Sequence, residues 1–453
     1  MSEPNADSVT IHIDNMLRDL SSAPSEPTIL RVSVQLRSTN PKAYDPEIIA
    51  IGPFHHGKVQ LQNMEQHKVR YLKQLLQRRN ESSAERYVIA MREIEDRARK
   101  CFGEAIQFNR DKFVEMLLLD GCFVIEFLRK FQEKDFRDKD DPIFRYRHIQ
   151  GFLLHDLMVI ENQLPFFIID LLFNMTKMDN QDINYIIWPL LQIGRSFFPK
   201  IDIHEIPEAP HLLGIVHNIH CSSFAEIKYY IDSEYNTEKI DSAIGLQEAG
   251  ITFRKSEENS LFHIKFKNKA LSIPAWEISD VTESLFRNFI AYEHYFTGSN
   301  KKYVTDYVFF MNCLIHSPKD AKLLRRNGII SNILGSDDMV YRVINQLGEN
   351  TFISEKFSYS KIFHAVNNHC GRKRNEWMVK LRRSYFNSPW ALFSVLAAIS
   401  MLLLSITQTT FAVLSYSKLF PNFSLLLSIK AYPPFSSFEV PLIVSGHDLK
   451  KDS

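Results

Sequence analysis

Roughly twenty-five residues without a formal charge, WALFSVLAAISMLLLSITQTTFAVL from Trp390 to Leu414, constrain this chain more than any other stretch. At about 1.5 Å per residue, a helix of that length crosses a hydrocarbon layer ~30 Å thick. Just upstream, Arg372, Lys373, Arg374, Lys380, Arg382 and Arg383 stand against a lone Glu376. By the positive-inside rule that asymmetry places the upstream side in the cytoplasm. The expected organisation is a loose segment at 1–27 and a mostly helical region at 28–380. A basic juxtamembrane end at 381–389, a transmembrane helix at 390–414 and a far-side tail at 415–453 follow.

A second apolar run, GFLLHDLMVIENQLPFFIIDLLF at 151–173, competes for the same reading. His155, Asp156, Glu161, Asn162, Gln163, Pro165 and Asp170 interrupt it. One central carboxylate costs roughly 2.5 to 3.5 kcal/mol on insertion scales, so a span is rejected. Two core helices meeting at Asn162–Pro165 are expected instead, because proline disfavours helix at the residue before it.

The rest of the chain has the composition of a globular protein, with 45% apolar and 24% charged residues. A net charge of +1 gives no overall pull toward nucleic acid. Cys101, Cys122, Cys221, Cys313 and Cys370 are odd in number and never paired as CxxC, which reads as free thiols in a reducing compartment. MSEPNADSVTIHID has neither a basic n-region nor an apolar h-region, so no cleavable signal is evident.

Periodicity predicts a mainly α chain with a small β component. Val9, Ile13, Met16, Leu17 and Leu20 share one face of a short docking helix. TILRVSVQL at 28–36 alternates like a strand, and Pro41, Pro46, Pro53 and Gly57 punctuate an extended segment after it. From Leu61 an amphipathic helix runs to QRRNE, and the Ser82–Glu85 spacing of a capping box starts the next. The helix from Asp111 is apolar almost all round and should be fully buried. Two alternating runs near 250–275, around a polar turn at Ser256–Ser260, suggest a β-hairpin; helical patterning returns from Val281 to about Gly348 and near Lys361–Asn368.

Few residues suggest chemistry. His55 and His56, with Glu65 and His67 downstream, have metal-ligand residue types, but adjacent side chains on an extended segment point to opposite sides. Asp120 and Glu126 are six apart on one helix and do not share a face, so each is expected to bond a neighbouring backbone group or an arginine. His155, Asp156, Glu161 and Asn162 form the densest polar island in apolar sequence, read as a hydrogen-bond network that fixes the helix break. No G-x-S-x-G elbow, Walker loop or G-x-G-x-x-G accompanies it. No catalytic, cofactor-binding or metal-binding residue is therefore assigned. Sequons stand at Asn80, Asn174 and Asn422; only Asn422 falls on the far side of the expected span, close to the membrane.

Several blocks in order carry a resemblance: NPKAYDPEIIAIGPFHHG, MEQHKVRYL, MLLLDGCFVIEFL, HDLMVIENQLPFFII, TESLFRNFIAYE, LLRRNGIISNILG and YFNSPWALFSVLAAISMLLLSITQT. Together they resemble the plant DUF247 family, a domain-of-unknown-function group also called UPF0481, from Arg31 to about Tyr416. Ser33 in RVSVQLR departs from the family's usual proline. The resemblance implies a land-plant source, a mostly helical cytoplasmic region and a C-terminal membrane helix. It supplies no catalytic residues. Some relatives are associated with self-incompatibility in grasses, which implies recognition or signalling. The expectation is a single-pass protein of the plasma membrane or an endomembrane, partnered by the bilayer at 390–414 and by other proteins. The alternative is a hydrolase or transferase using His155, Asp156 and Glu161.

Overall fold

The computed structural model of the chain describes residues 7–21, 27–179, 181–192, 206–225, 239–258, 260–297, 302–371 and 389–419. Its first helices are α1 (Ser8–Ser21), α2 (Val34–Thr39), α3 (Glu65–Arg78), α4 (Glu85–Lys100), α5 (Arg110–Gln132) and α6 (Pro142–Arg145). Then come α7 (Arg147–Asp156), α8 (Phe166–Thr176), α9 (Asn184–Leu191), α10 (Leu212–Ala225) and α11 (Ala243–Glu248). Strands β1 (Thr252–Ser256), β2 (Lys265–Lys267), β3 (Ala270–Pro274) and β4 (Trp276–Ile278) precede α12 (Asp280–Phe296), α13 (Tyr303–Leu314) and α14 (Pro318–Arg326). Strand β5 (Ile330–Asn332), α15 (Asp337–Gly348), α16 (Ser360–Cys370) and α17 (Pro389–Leu419) complete the order. The chain divides into two compact units, Met1–Val379 and Lys380–Ser453; α17 belongs to the second.

Helix α5 is the centre of the first unit. Asn109 caps it, accepting the Lys112 N–H at 2.8 Å. Its apolar circumference is buried against α3, α4, α8 and α9, as a helix without a polar face requires. Gly121 makes the α5–α8 approach possible: a Cβ there would collide with the Leu172 side chain. The same core continues around Trp276, whose ring lies 5.0 Å from Phe286 and 5.2 Å from Tyr307.

The run at 151–173 forms two helices, α7 ending at Asp156 and α8 starting at Phe166 directly after Pro165. Residues 157–165 between them are irregular and buried. Such a segment must satisfy its backbone groups, here partly through turns such as Met158 N–H to the His155 carbonyl and partly through side chains.

Three local expectations change. Residues 28–36 are not a strand: Ile29 makes one isolated bridge to Phe102, and Ser33 caps α2, accepting the Leu36 N–H. Alternation was present, but no neighbouring strand runs alongside. At α4, Ser83 rather than Ser82 receives the Glu85 N–H, at 3.1 Å. The hairpin lies at 265–274, not around Ser256–Ser260. Strands β2 and β3 are antiparallel and turn at Asn268 and Lys269, both at positive φ (52° and 62°), as a two-residue I′ turn needs. Strand β1 joins the other edge of β3 in parallel, Phe253 opposite Leu271. The segment after β1 cannot fold straight back, because Leu261 and Phe262 plunge into the core and the Phe262 carbonyl accepts the Tyr359 hydroxyl at 3.0 Å.

The short helix near the N-terminus is present as α1, with Val9, Ile13, Met16 and Leu17 about half exposed. In the second unit, the apolar part of α17, Phe393–Ser415, is 23 residues long and none of it is buried. The basic cluster Arg372–Arg383 and the Asn422 sequon lie outside the described residues.

Candidate functional site

The extended segment after Asp45 has backbone N–H groups but no strand partner, so the polar island supplies acceptors. Asp156 accepts three consecutive N–H groups, from Glu47, Ile48 and Ile49, at 2.8, 2.8 and 2.9 Å. Asn162 accepts the Ile51 N–H at 2.7 Å and donates to the Ile49 and Asp156 carbonyls. Asp120, reaching from α5, accepts the Gly52 N–H at 2.8 Å and pairs with buried Lys68 at 2.6 Å. Gly52 sits at φ +78°, where a Cβ would stand 2.5 Å from the Gln163 carbonyl oxygen, so only glycine fits. Gln163 itself donates to the Leu157 and Val159 carbonyls and accepts the Leu213 N–H at 3.2 Å. The island is thus a clamp that docks 47–52 onto the helix break.

Glu161 works in the same way toward the N-terminal side. It accepts the Val32 N–H at 2.7 Å and binds Arg37 at 2.5 Å and Arg31 at 3.2 Å. His55 lies between Asp45 and Glu161, 3.7 Å from each carboxylate. Burial pushes its imidazole down to about 3, so it is neutral. His56 faces a different neighbour, edge-on to Phe108 at 5.1 Å, and Glu65 pairs with Lys68 at 2.7 Å. The two histidines do not converge. Glu126 bonds Arg78 and Arg129, while Asp120 uses a lysine and a backbone group; these acids share no site.

Among the described residues, one set of ligand-type atoms lies close enough for a metal ion: His217, Cys221 and Glu293, all buried. Sequence patterning missed it, since i, i+4 residues of α10 meet a carboxylate from α12. His217 Nε2 is 2.9 Å from Glu293 Oε1 and 3.5 Å from Cys221 Sγ. Glu293 also accepts the Val304 N–H at 2.7 Å, the Thr305 N–H at 2.8 Å and the Thr305 hydroxyl at 2.6 Å. Those bonds cap α13 and occupy the carboxylate that an ion would need. Burial opposes charge on His217, but Cys221 and Glu293 outweigh it and hold the imidazolium well above its ordinary range. The cluster is a buried ion pair joining α10, α12 and α13.

His155 alone of the island reaches an open cleft. That cleft has a volume of about 470 Å³, with Lys42, Glu47, Phe152, His155, Val281 and Ser284 in its walls. His155 Nε2 lies 2.7 Å from Ser284 Oγ, and Nδ1 lies 3.4 Å from Asp156 Oδ1. Ser284, in the second turn of α12, carries no local sequence signature that would single it out. A larger cleft of about 690 Å³ lies beside α4 and α8, where Arg97 stacks over Phe167 at 3.9 Å.

No solved structure matches the chain. The UPF0481 protein At3g47200 of Arabidopsis thaliana is 29% identical over 418 residues, covering 86% of each chain. The putative UPF0481 protein At3g02645 of the same plant is 23% identical over 482 residues, covering 83% of this chain and 88% of its own. The family model described as a plant protein of unknown function, DUF247, matches residues 29–404. This chain belongs to the DUF247 family of plant proteins.

Proposed function

We propose that the protein is a membrane-tethered recognition protein, anchored by residues 390–414 and binding protein partners through the helical region before them. The observation that carries the reading is α17. Its stretch Phe393–Ser415 is long and apolar enough to cross a bilayer, and Leu402, Leu403 and Leu404 are each more than half exposed. At about 25 cal/mol per Å² of apolar surface, leaving such a helix in water is strongly unfavourable. The basic residues between Arg372 and Arg383 support an orientation with the helical region in the cytoplasm of a plasma membrane or endomembrane. Tethering would raise the local concentration of that region toward partners on the same membrane.

The use of the buried acids supports a rigid body able to present a binding surface. Asp156, Glu161 and Asp120 hold backbone and cationic groups from distant parts of the chain. The net charge of +1 offers no field for nucleic acid. Alkaline extraction of membranes carrying the full chain, tagged at both ends, should leave it in the pellet. Protease added to sealed cytoplasm-side-out vesicles should remove the N-terminal tag and spare the C-terminal one. Release by alkali overturns the anchor, and a protected N-terminal tag with a digested C-terminal tag overturns the orientation. Affinity purification should recover a reproducible protein partner; none, beside a measurable turnover, counts against recognition.

A further inference from the structure

We propose that Ser284, His155 and Asp156 form a nucleophile, base and positioning residue in the His155 cleft, competent to transfer the acyl group of a small, mainly apolar carboxylic ester. The proton positions follow from the surrounding acceptors. His155 Nδ1 faces Asp156 Oδ1 at 3.4 Å and Glu47 Oε1 at 3.8 Å, which places the ring proton on that nitrogen. The lone pair on Nε2 then points at Ser284 Oγ, 2.7 Å away. Ser284 also donates to the Ala43 carbonyl at 3.1 Å, which takes Asn288 Nδ2 on its other lone pair at 2.8 Å. Of the two acceptors His155 Nε2 is the nearer, 2.7 Å against 3.1 Å, so a small turn of the hydroxyl hands its proton to the histidine, the arrangement a general base needs.

Asp156 cannot drift from its place, because the N–H groups of Glu47, Ile48 and Ile49 hold it. The cleft, at about 470 Å³, has the size of a small-molecule site. Phe152 and Val281 supply apolar wall for an acyl chain, and Lys42 supplies a cation for a developing oxyanion. In the step itself, Ser284 Oγ bonds to the ester carbonyl carbon as its proton passes to His155 Nε2. The ester C–O bond breaks and the alcohol leaves with that proton. Water then adds to the acyl-serine by the same base, releasing the carboxylic acid and restoring the hydroxyl. Nothing in this proposal requires the membrane anchor.

The test uses the full chain in detergent micelles and an alkyl fluorophosphonate, which a serine so activated attacks with loss of fluoride. Peptide mass spectrometry should find the adduct on Ser284, absent in Ser284→Ala and formed at least ~100-fold more slowly in His155→Ala. Gly151, one turn before His155, has open space where a side chain would go. Gly151→Trp should therefore slow labelling roughly tenfold by closing the mouth while leaving the reacting groups in place. Asp156→Asn should lower the limiting labelling rate and leave the half-saturating probe concentration unchanged. The proposal is overturned if Ser284 is not modified, or if His155→Ala or Gly151→Trp reacts at the wild-type rate. An unchanged limiting rate in Asp156→Asn removes Asp156 from its role.

Discussion

Ser33, where the family resemblance implies proline, has a backbone geometry that suits both residues. Its φ of −57° and ψ of 151° lie where a pyrrolidine ring holds the backbone. What serine adds is an N–H, donated to the Tyr295 hydroxyl at 2.7 Å, and a hydroxyl that caps α2. Ser33→Pro loses the N–H bond and the cap, about 1–2 kcal/mol together, and regains up to about 1 kcal/mol by restricting the unfolded chain. The expected net change is within about 1 kcal/mol, read from a thermal or urea transition; a loss well beyond that would mean the Tyr295 contact is worth more than an ordinary hydrogen bond.

A second residue gives the chain a pH dependence. Asp306 is buried, and burial outweighs its bonds to Ser358 and Ser354, raising the carboxyl to about 6 from an ordinary 3.8. Because the folded value lies above the unfolded one, its contribution to stability is complete below about 4. That contribution is lost as pH rises through about 6, an interval corresponding to roughly 3 kcal/mol. Denaturation midpoints followed across this range should fall more steeply in the wild type than in Asp306→Asn. Parallel curves would show that the carboxyl ionises as freely folded as unfolded.

At the scale of elements, α5 is the piece on which the others depend. It touches α3, α4, α8 and α9, and Gly121 lies directly against Leu172 of α8. Gly121→Val places two methyl groups where Leu172 and Ile168 already pack. Overpacking of this kind costs about 1–3 kcal/mol, since a close-packed interior can yield only by shifting a helix. The measurement is the change in unfolding free energy, with Gly121→Ala expected to fall between wild type and valine. A neutral Gly121→Val would mean that α8 is not firmly seated on α5.

For the whole molecule the decisive element is α17. Leu404 lies near the middle of its apolar stretch and is exposed. An arginine at a bilayer centre costs roughly 2.5 to 3.5 kcal/mol on insertion scales. Leu404→Arg should thus shift a measurable share of the protein into the alkali-extractable fraction, whereas Leu404→Phe should not. Equal retention of both variants in the membrane would point to an attachment other than α17.

Sequence by itself determined the elements whose cause is local. The all-round apolar helix α5, the break before Pro165 and the apolar stretch of α17 each follow from hydropathy and backbone sterics within a few turns. The same patterns marked Asp156, Glu161 and Asn162 as residues that must find partners. Tertiary structure alone decided who those partners are: Glu161 meets Val32 and Arg37 from more than a hundred positions away, and Ser284 meets His155 across a similar distance. It also turned 252–256 into a parallel edge of β3, because burial of Leu261 and Phe262 outweighed the polar turn that precedes them. Periodicity records which face of an element is buried, and it carries no record of what lies against that face.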